Sequence, residues 1–147
     1  MTYWDVLLPV LLTEPGLPAP PANVPRLEWL LDTGNRGEAF AWRWHLLDGG
    51  LDPDVQRLPV NVRVTSVLGH QQVVPLRAAD LWLLSNLPAF HGQPYRMSFS
   101  RGLAFKDVPT LPDPKRNRPL IGVRLLRQAK LKVELDFTND TVSVWTP

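Results

Sequence analysis

The chain has 147 residues, 44% of them hydrophobic and 20% charged, which describes one folded domain large enough to bury a core and not a solvated, disordered chain. Sixteen Lys and Arg stand against fourteen Asp and Glu, so the formal net charge is only +2, no dense basic stripe is present, and nucleic acid is not an expected partner. The absence of cysteine excludes disulfides, thiolate nucleophiles and Cys-ligated zinc, and His45, His70 and His91 are too far apart to give a ligand spacing; no metal and no cofactor is expected.

Sixteen prolines and nine glycines interrupt the sequence too often for long helices, so short strands joined by turns are expected. The first strand is read from Tyr3 to Leu12. Its apolar run, Val6 to Leu12, contains Pro9 and is far shorter than the roughly 20 residues of a membrane span, so the chain is expected to be cytoplasmic with no membrane partner. The Pro-rich stretch within residues 13–25 is read as a loop inside a single domain covering 1–147, because too little chain precedes it to fold alone.

Arg26 to Leu31 forms the next strand and leads into Asp32. Glu38 to Trp42 follows as a short strand, and Arg43 to Asp48 as one or two helical turns closed by Gly49-Gly50. Phe40, Trp42, Trp44 and His45, with Trp82 further on, are assigned to the core by the burial preferences of their types and not to a ligand pocket. Leu58, Val60, Val62 and Val64 alternate with polar residues and proline, the period of a half-buried strand.

Leu68-Gly69-His70 supplies a turn, and Gln72 to Leu76 and Asp80 to Leu84 are extended. Tyr95, Met97 and Phe99 alternate again before the turn at Arg101-Gly102 and the strand Leu103 to Val108. Residues 109–119 form a second Pro-rich loop, whose cluster Lys115-Arg116-Asn117-Arg118 is read as solvated. Leu120-Ile121-Gly122 is an apolar strand ending in glycine, Val123 to Gln128 a short helix. Leu131 to Phe137 alternates, Asn139-Asp140 turns the chain, and Val142 and Val144 resume the pattern.

The candidate chemistry is Asp32-Thr33-Gly34, reached through Leu30 and Leu31 and followed by Asn35-Arg36-Gly37. Hydrolysis of a peptide bond without a metal or a covalent intermediate requires a general base for water and a general acid for the reacting carbonyl. Two nearby aspartates sharing one proton meet both needs. In this sequence the tripeptide occurs once, so the second carboxylate must come from a second chain. Thr33 offers a hydroxyl to lock two such loops together, and Gly34 lets the backbone N–H reach the carboxylate. The same residues are equally good turn chemistry, so the tripeptide alone leaves both readings open.

The second motif separates them. Leu30-Leu31-Asp32-Thr33-Gly34, Gly37, Leu120-Ile121-Gly122 and the helical pair Leu125-Leu126, in that order, resemble the retroviral-type (retropepsin-like) aspartic peptidases and more closely their small bacterial relatives. The resemblance spans nearly all of the chain from Arg26 onward. It implies an all-β fold, a closed, mostly antiparallel β-barrel with one short helix near the C-terminus, acting as a homodimer on an extended peptide or protein substrate held beneath flaps. By the same resemblance Asp32 is the catalytic carboxylate, Thr33 and Gly34 support it, and Gly37, Leu120, Ile121 and Gly122 border the substrate. The flap falls at Ser66 to Gln72 with Gly69 at its tip.

The chain differs from the family pattern in three places. Asn35 and Arg36 set an amide and a cation beside the catalytic loop, Val123 stands where viral members carry an arginine that braces the dimer, and Asn86 to Asn117 is additional length. The expected function is that of an aspartic endopeptidase. The alternative is a catalytically silent protein of the same fold, used for dimerisation or peptide binding.

Overall fold

A computed structural model of the chain describes residues 6–65, 68–84, 93–108 and 117–147. Among these the chain is mostly β, with two short helices. In order it runs β1 (Leu7–Thr13), β2 (Leu27–Leu31), β3 (Ala39–Trp42), α1 (Arg43–Asp48), β4 (Arg57–Thr65), β5 (Gln71–Arg77) and β6 (Asp80–Leu83). It continues through β7 (Tyr95–Ser98), β8 (Leu103–Lys106), β9 (Leu120–Ile121), α2 (Val123–Gln128), β10 (Lys132–Asp136) and β11 (Thr141–Trp145). No helix is long and apolar enough to cross a membrane among these residues.

Among the described residues nine strands form one sheet in the order β4-β5-β8-β3-β9-β2-β1-β6-β7, and β10 pairs with β11 alone. The sheet is open, which corrects the expected closed barrel: β4 and β7 end it and do not pair with each other. The sequence of β4 explains part of this. Pro59 supplies no ladder donor, and the register with β5 breaks between Arg57 and Asn61, so the strand is suited to an edge. Pairing is mostly antiparallel, but β2 with β9 and β3 with β8 are parallel. The expected β4 alternation is present, yet its apolar side stays out of the core, with Val60 58% exposed.

The core lies along the middle of the sheet, where Val10, Trp29, Leu81, Phe105 and Ile121 are buried with Leu125 of α2. Both helices are closed by the same backbone geometry. In α1 the N–H of Leu51 reaches the carbonyl of Leu46 while Gly50 takes a φ of 86°. In α2 the N–H of Leu131 reaches the carbonyl of Leu126 while Lys130 takes a φ of 57°. At its start α1 is fastened by the Trp42 N–H, which donates to His45 Nδ1 at 2.9 Å.

Candidate active site

Asp32 is held where β2 ends, in a loop that leaves the sheet and returns as β3. Strand β9 runs between those two strands, parallel to β2 through Leu30–Leu120 and Leu31–Ile121, and antiparallel to β3 through Ala39–Ile121 and Phe40–Leu120. The two sequence motifs therefore meet, although some ninety residues of chain separate them. The Asp32 N–H donates to the Ile121 carbonyl at 2.9 Å, which sets the height at which the carboxylate leaves the sheet.

The rest of the loop is fastened to the start of α2. Gly122 donates to the Glu38 carbonyl at 2.8 Å, Val123 to that of Asn35 at 2.9 Å and Arg124 to that of Gly37 at 3.2 Å. These are N–H groups that the first turn of a helix leaves without an internal partner, and here the loop supplies their acceptors. Within the loop, Gly34 N–H donates to Asp32 Oδ1 at 3.0 Å and Gly37 N–H to Asn35 Oδ1 at 2.7 Å. Asn35, a departure from the family pattern, is thus a bracket of the loop: its side chain and its carbonyl both accept bonds.

The expected site residues fall in four places. Asp32, Gly34, Gly37 and Leu120 line a cleft of about 940 Å³. Ile121 and Gly122 are buried behind it, where they hold the loop instead of bordering the space. Thr33 is exposed and lines a separate notch of about 180 Å³ together with Leu31, Leu135, Phe137 and Val142. Gly69 sits between β4 and β5 with a φ of 83° and open space around it, while Ser66 of the expected flap lies outside the described residues.

Phe40 and Trp42 also line the cleft, which corrects their assignment to the core. The signal was in β3 itself: Ala39 and Ala41 are its buried positions, so the larger residues that alternate with them must face the other way. Trp42 is further covered by Lys106, whose Nζ stands 4.7 Å from the ring centroid. His45 and Trp82 are buried as expected.

Another wall of the cleft is β4, whose consecutive residues Asn61 to Thr65 all line it. Side chains of a strand alternate between faces, so an unbroken run of lining residues means that backbone as well as side chains of β4, an edge strand among the described residues, border the space. The cleft contains two carboxylates, Asp32 and Glu38. Glu38 is occupied by Ser100, which donates from both its N–H and its hydroxyl. Among the described residues, one chain accordingly brings to the cleft a single carboxylate, Asp32, that is held only by an N–H of its own loop.

Comparison with protein-family models, with curated proteins and with solved structures finds no match to this chain. The functional reading therefore depends on the geometry of the site.

Proposed function

We propose that the chain is an aspartic endopeptidase of the retropepsin type, active as a homodimer. The observation that carries this reading is the Asp32 carboxylate in a cleft, on a loop clamped by β9 and α2, with the edge strand β4 lining the same cleft. An extended peptide laid along that edge gains main-chain hydrogen bonds without regard to sequence. Two Asp32 side chains across a two-fold axis share one proton, since both do not ionise at close range. The ionised member takes a proton from water, the oxygen attacks the scissile carbonyl, and the protonated member donates to the carbonyl oxygen. Collapse of the tetrahedral intermediate, with a proton delivered to the nitrogen, releases the amine.

Dimerisation is supported by the opposite side of the same loop. Thr33 shares its notch with the β10–β11 hairpin, where Leu135, Phe137 and Val142 are 39%, 76% and 37% exposed. A monomer seldom presents such residues together without a partner surface. An axis passing near Thr33 covers them and brings the two carboxylates together.

The test is cleavage of a mixed peptide library between about pH 3 and 8 by the wild type and by Asp32→Asn, with sedimentation of both. Cleavage by a dimeric wild type and none by the variant is expected. Equal cleavage by both, no cleavage by either, or a strict monomer that cleaves would sink the proposal. A library that Asp32→Asn and wild type bind alike, with no cleavage, is the result expected of the catalytically silent alternative.

A further inference from the structure

The chain as a whole is nearly neutral, but its cleft is not. Arg36, Arg63, Arg101, Lys106 and Arg124 all line it, against the carboxylates of Asp32 and Glu38. None of these five cations has a described carboxylate within ion-pair distance. Outside the cleft four arginines are paired: Arg43 and Arg57 share Asp54 and Asp107, Arg77 binds Glu14, and Arg96 approaches Asp80. Five cations without a described carboxylate partner thus share the space where a ligand would lie, against two carboxylates.

The register places this charge at both ends of the space. Arg36 belongs to the Asp32 loop, the Arg124 N–H bonds that loop, and Arg101 follows the Ser100 that holds Glu38. Lys106 pairs with Trp42 at the far end of β3, and Arg63 pairs with Val73 on the β4–β5 hairpin. A ligand that extends along β4 past the loop meets cations both near Asp32 and away from it.

We propose that the cleft selects acidic peptide segments, in which Asp or Glu residues flank the bond placed at Asp32. This rests on the peptidase reading for its chemistry, though not for its electrostatics. A low-dielectric cleft lined by one sign of charge concentrates ligands of the other sign and orients them on approach. Strand β4, an edge strand among the described residues whose Asn61 to Thr65 line the cleft, favours a peptide over a nucleic acid, because such a strand offers the alternating N–H and C=O groups that match another extended chain. Asp32 in the cleft repels a phosphate backbone, whereas a peptide can keep its neutral amides there. The preference is present while the ligand's carboxylates are ionised and disappears as pH falls through about 4.

The experiment uses two labelled pools of short peptides, identical except that every Asp and Glu of the first is Asn or Gln in the second. Binding is measured with Asp32→Asn protein, cleavage with wild-type protein, and both with Arg63→Gln and Lys106→Gln added; an oligothymidylate of similar length is the nucleic-acid probe. At neutral pH and about 0.05 M salt the acidic pool is expected to bind about tenfold more tightly. Each charge-removing substitution lowers that ratio about two- to fivefold, and about 0.5 M salt brings it toward one. Equal binding of the two pools, or tighter binding of the oligothymidylate than of the acidic pool, overturns the inference. Acidic preference without cleavage of either pool leaves it standing and removes the peptidase reading. Cleavage of both pools at one rate does the reverse.

Discussion

Gly122 lies directly against Gly37: a Cβ on Gly122 would overlap the Gly37 carbonyl oxygen and come within 3.0 Å of the Asn35 carbonyl oxygen. Only a residue without a side chain allows β9 and the start of α2 to approach the Asp32 loop this closely. The positioning of Asp32 therefore depends on a residue that does not itself border the cleft.

Gly122→Ala is expected to destabilise the protein by about 2 kcal/mol or more, because the obstruction is backbone and cannot rotate away. Gly34→Ala offers the comparison, since its Cβ would meet only Asp32 Oδ1, at 3.3 Å. That variant is expected to retain most of its stability while displacing the carboxylate. Urea unfolding of both decides the matter, and equal losses would show that the close approach is not the cause.

Arg77 is fully buried and donates to both Glu14 oxygens, at 3.0 and 2.6 Å, and to the carbonyls of Asp52 and Ala78 at 2.8 and 2.7 Å. It ties the chain after β1 to β5 and to the connection after α1. Removing the carboxylate leaves a buried cation with carbonyl partners alone. Glu14→Ala is expected to cost about 3 kcal/mol, and Glu14→Gln about half of that, because the amide still accepts one bond. A loss below about 0.5 kcal/mol in chemical denaturation would contradict this account.

Burial lowers the pKa of His45 to about 4, against a hydrogen bond with the Asn117 backbone that acts to raise it. Its Nδ1 accepts the Trp42 N–H, so the neutral ring is the form that fits. Above about pH 6.5 the ring is neutral in both folded and unfolded chains; below that the unfolded chain binds the proton first. Stability is therefore expected to fall as pH drops from about 6.5 to about 4, and this contribution levels off below. His45→Gln keeps an acceptor for the helix start but does not titrate. The difference in Tm between about pH 7 and pH 4 should be several degrees smaller in that variant, and an unchanged difference would exclude His45 as the source.

Lys130 and Gly50 occupy equivalent places after α2 and α1, and only one of them is glycine. A non-glycine residue in this left-handed conformation costs about 1 kcal/mol. Lys130→Gly is expected to raise stability by about that amount and Gly50→Ala to lower it similarly, both read from thermal unfolding. A destabilised Lys130→Gly would mean that the lysine stem contributes packing that outweighs its backbone strain.

Period-two alternation and proline–glycine punctuation located the strands near Asp32, both short helices and the β10–β11 turn, because these signals are carried by neighbours in the chain. The same alternation in β4 was misleading about burial, since a period identifies a face without saying what covers it. In β3 the aromatic residues were assigned by type, while the decisive fact was that Ala39 and Ala41 had already taken the inner face. By itself, then, the sequence determined a mostly β chain with one Asp-Thr-Gly and a second motif able to meet it. Tertiary structure decided that β9 passes between β2 and β3, that the sheet stays open at β4, and that cations from separate stretches line one cleft. These outcomes depend on contacts between residues far apart in the chain, and backbone hydrogen bonds and charge proximity of that kind leave no local pattern to read.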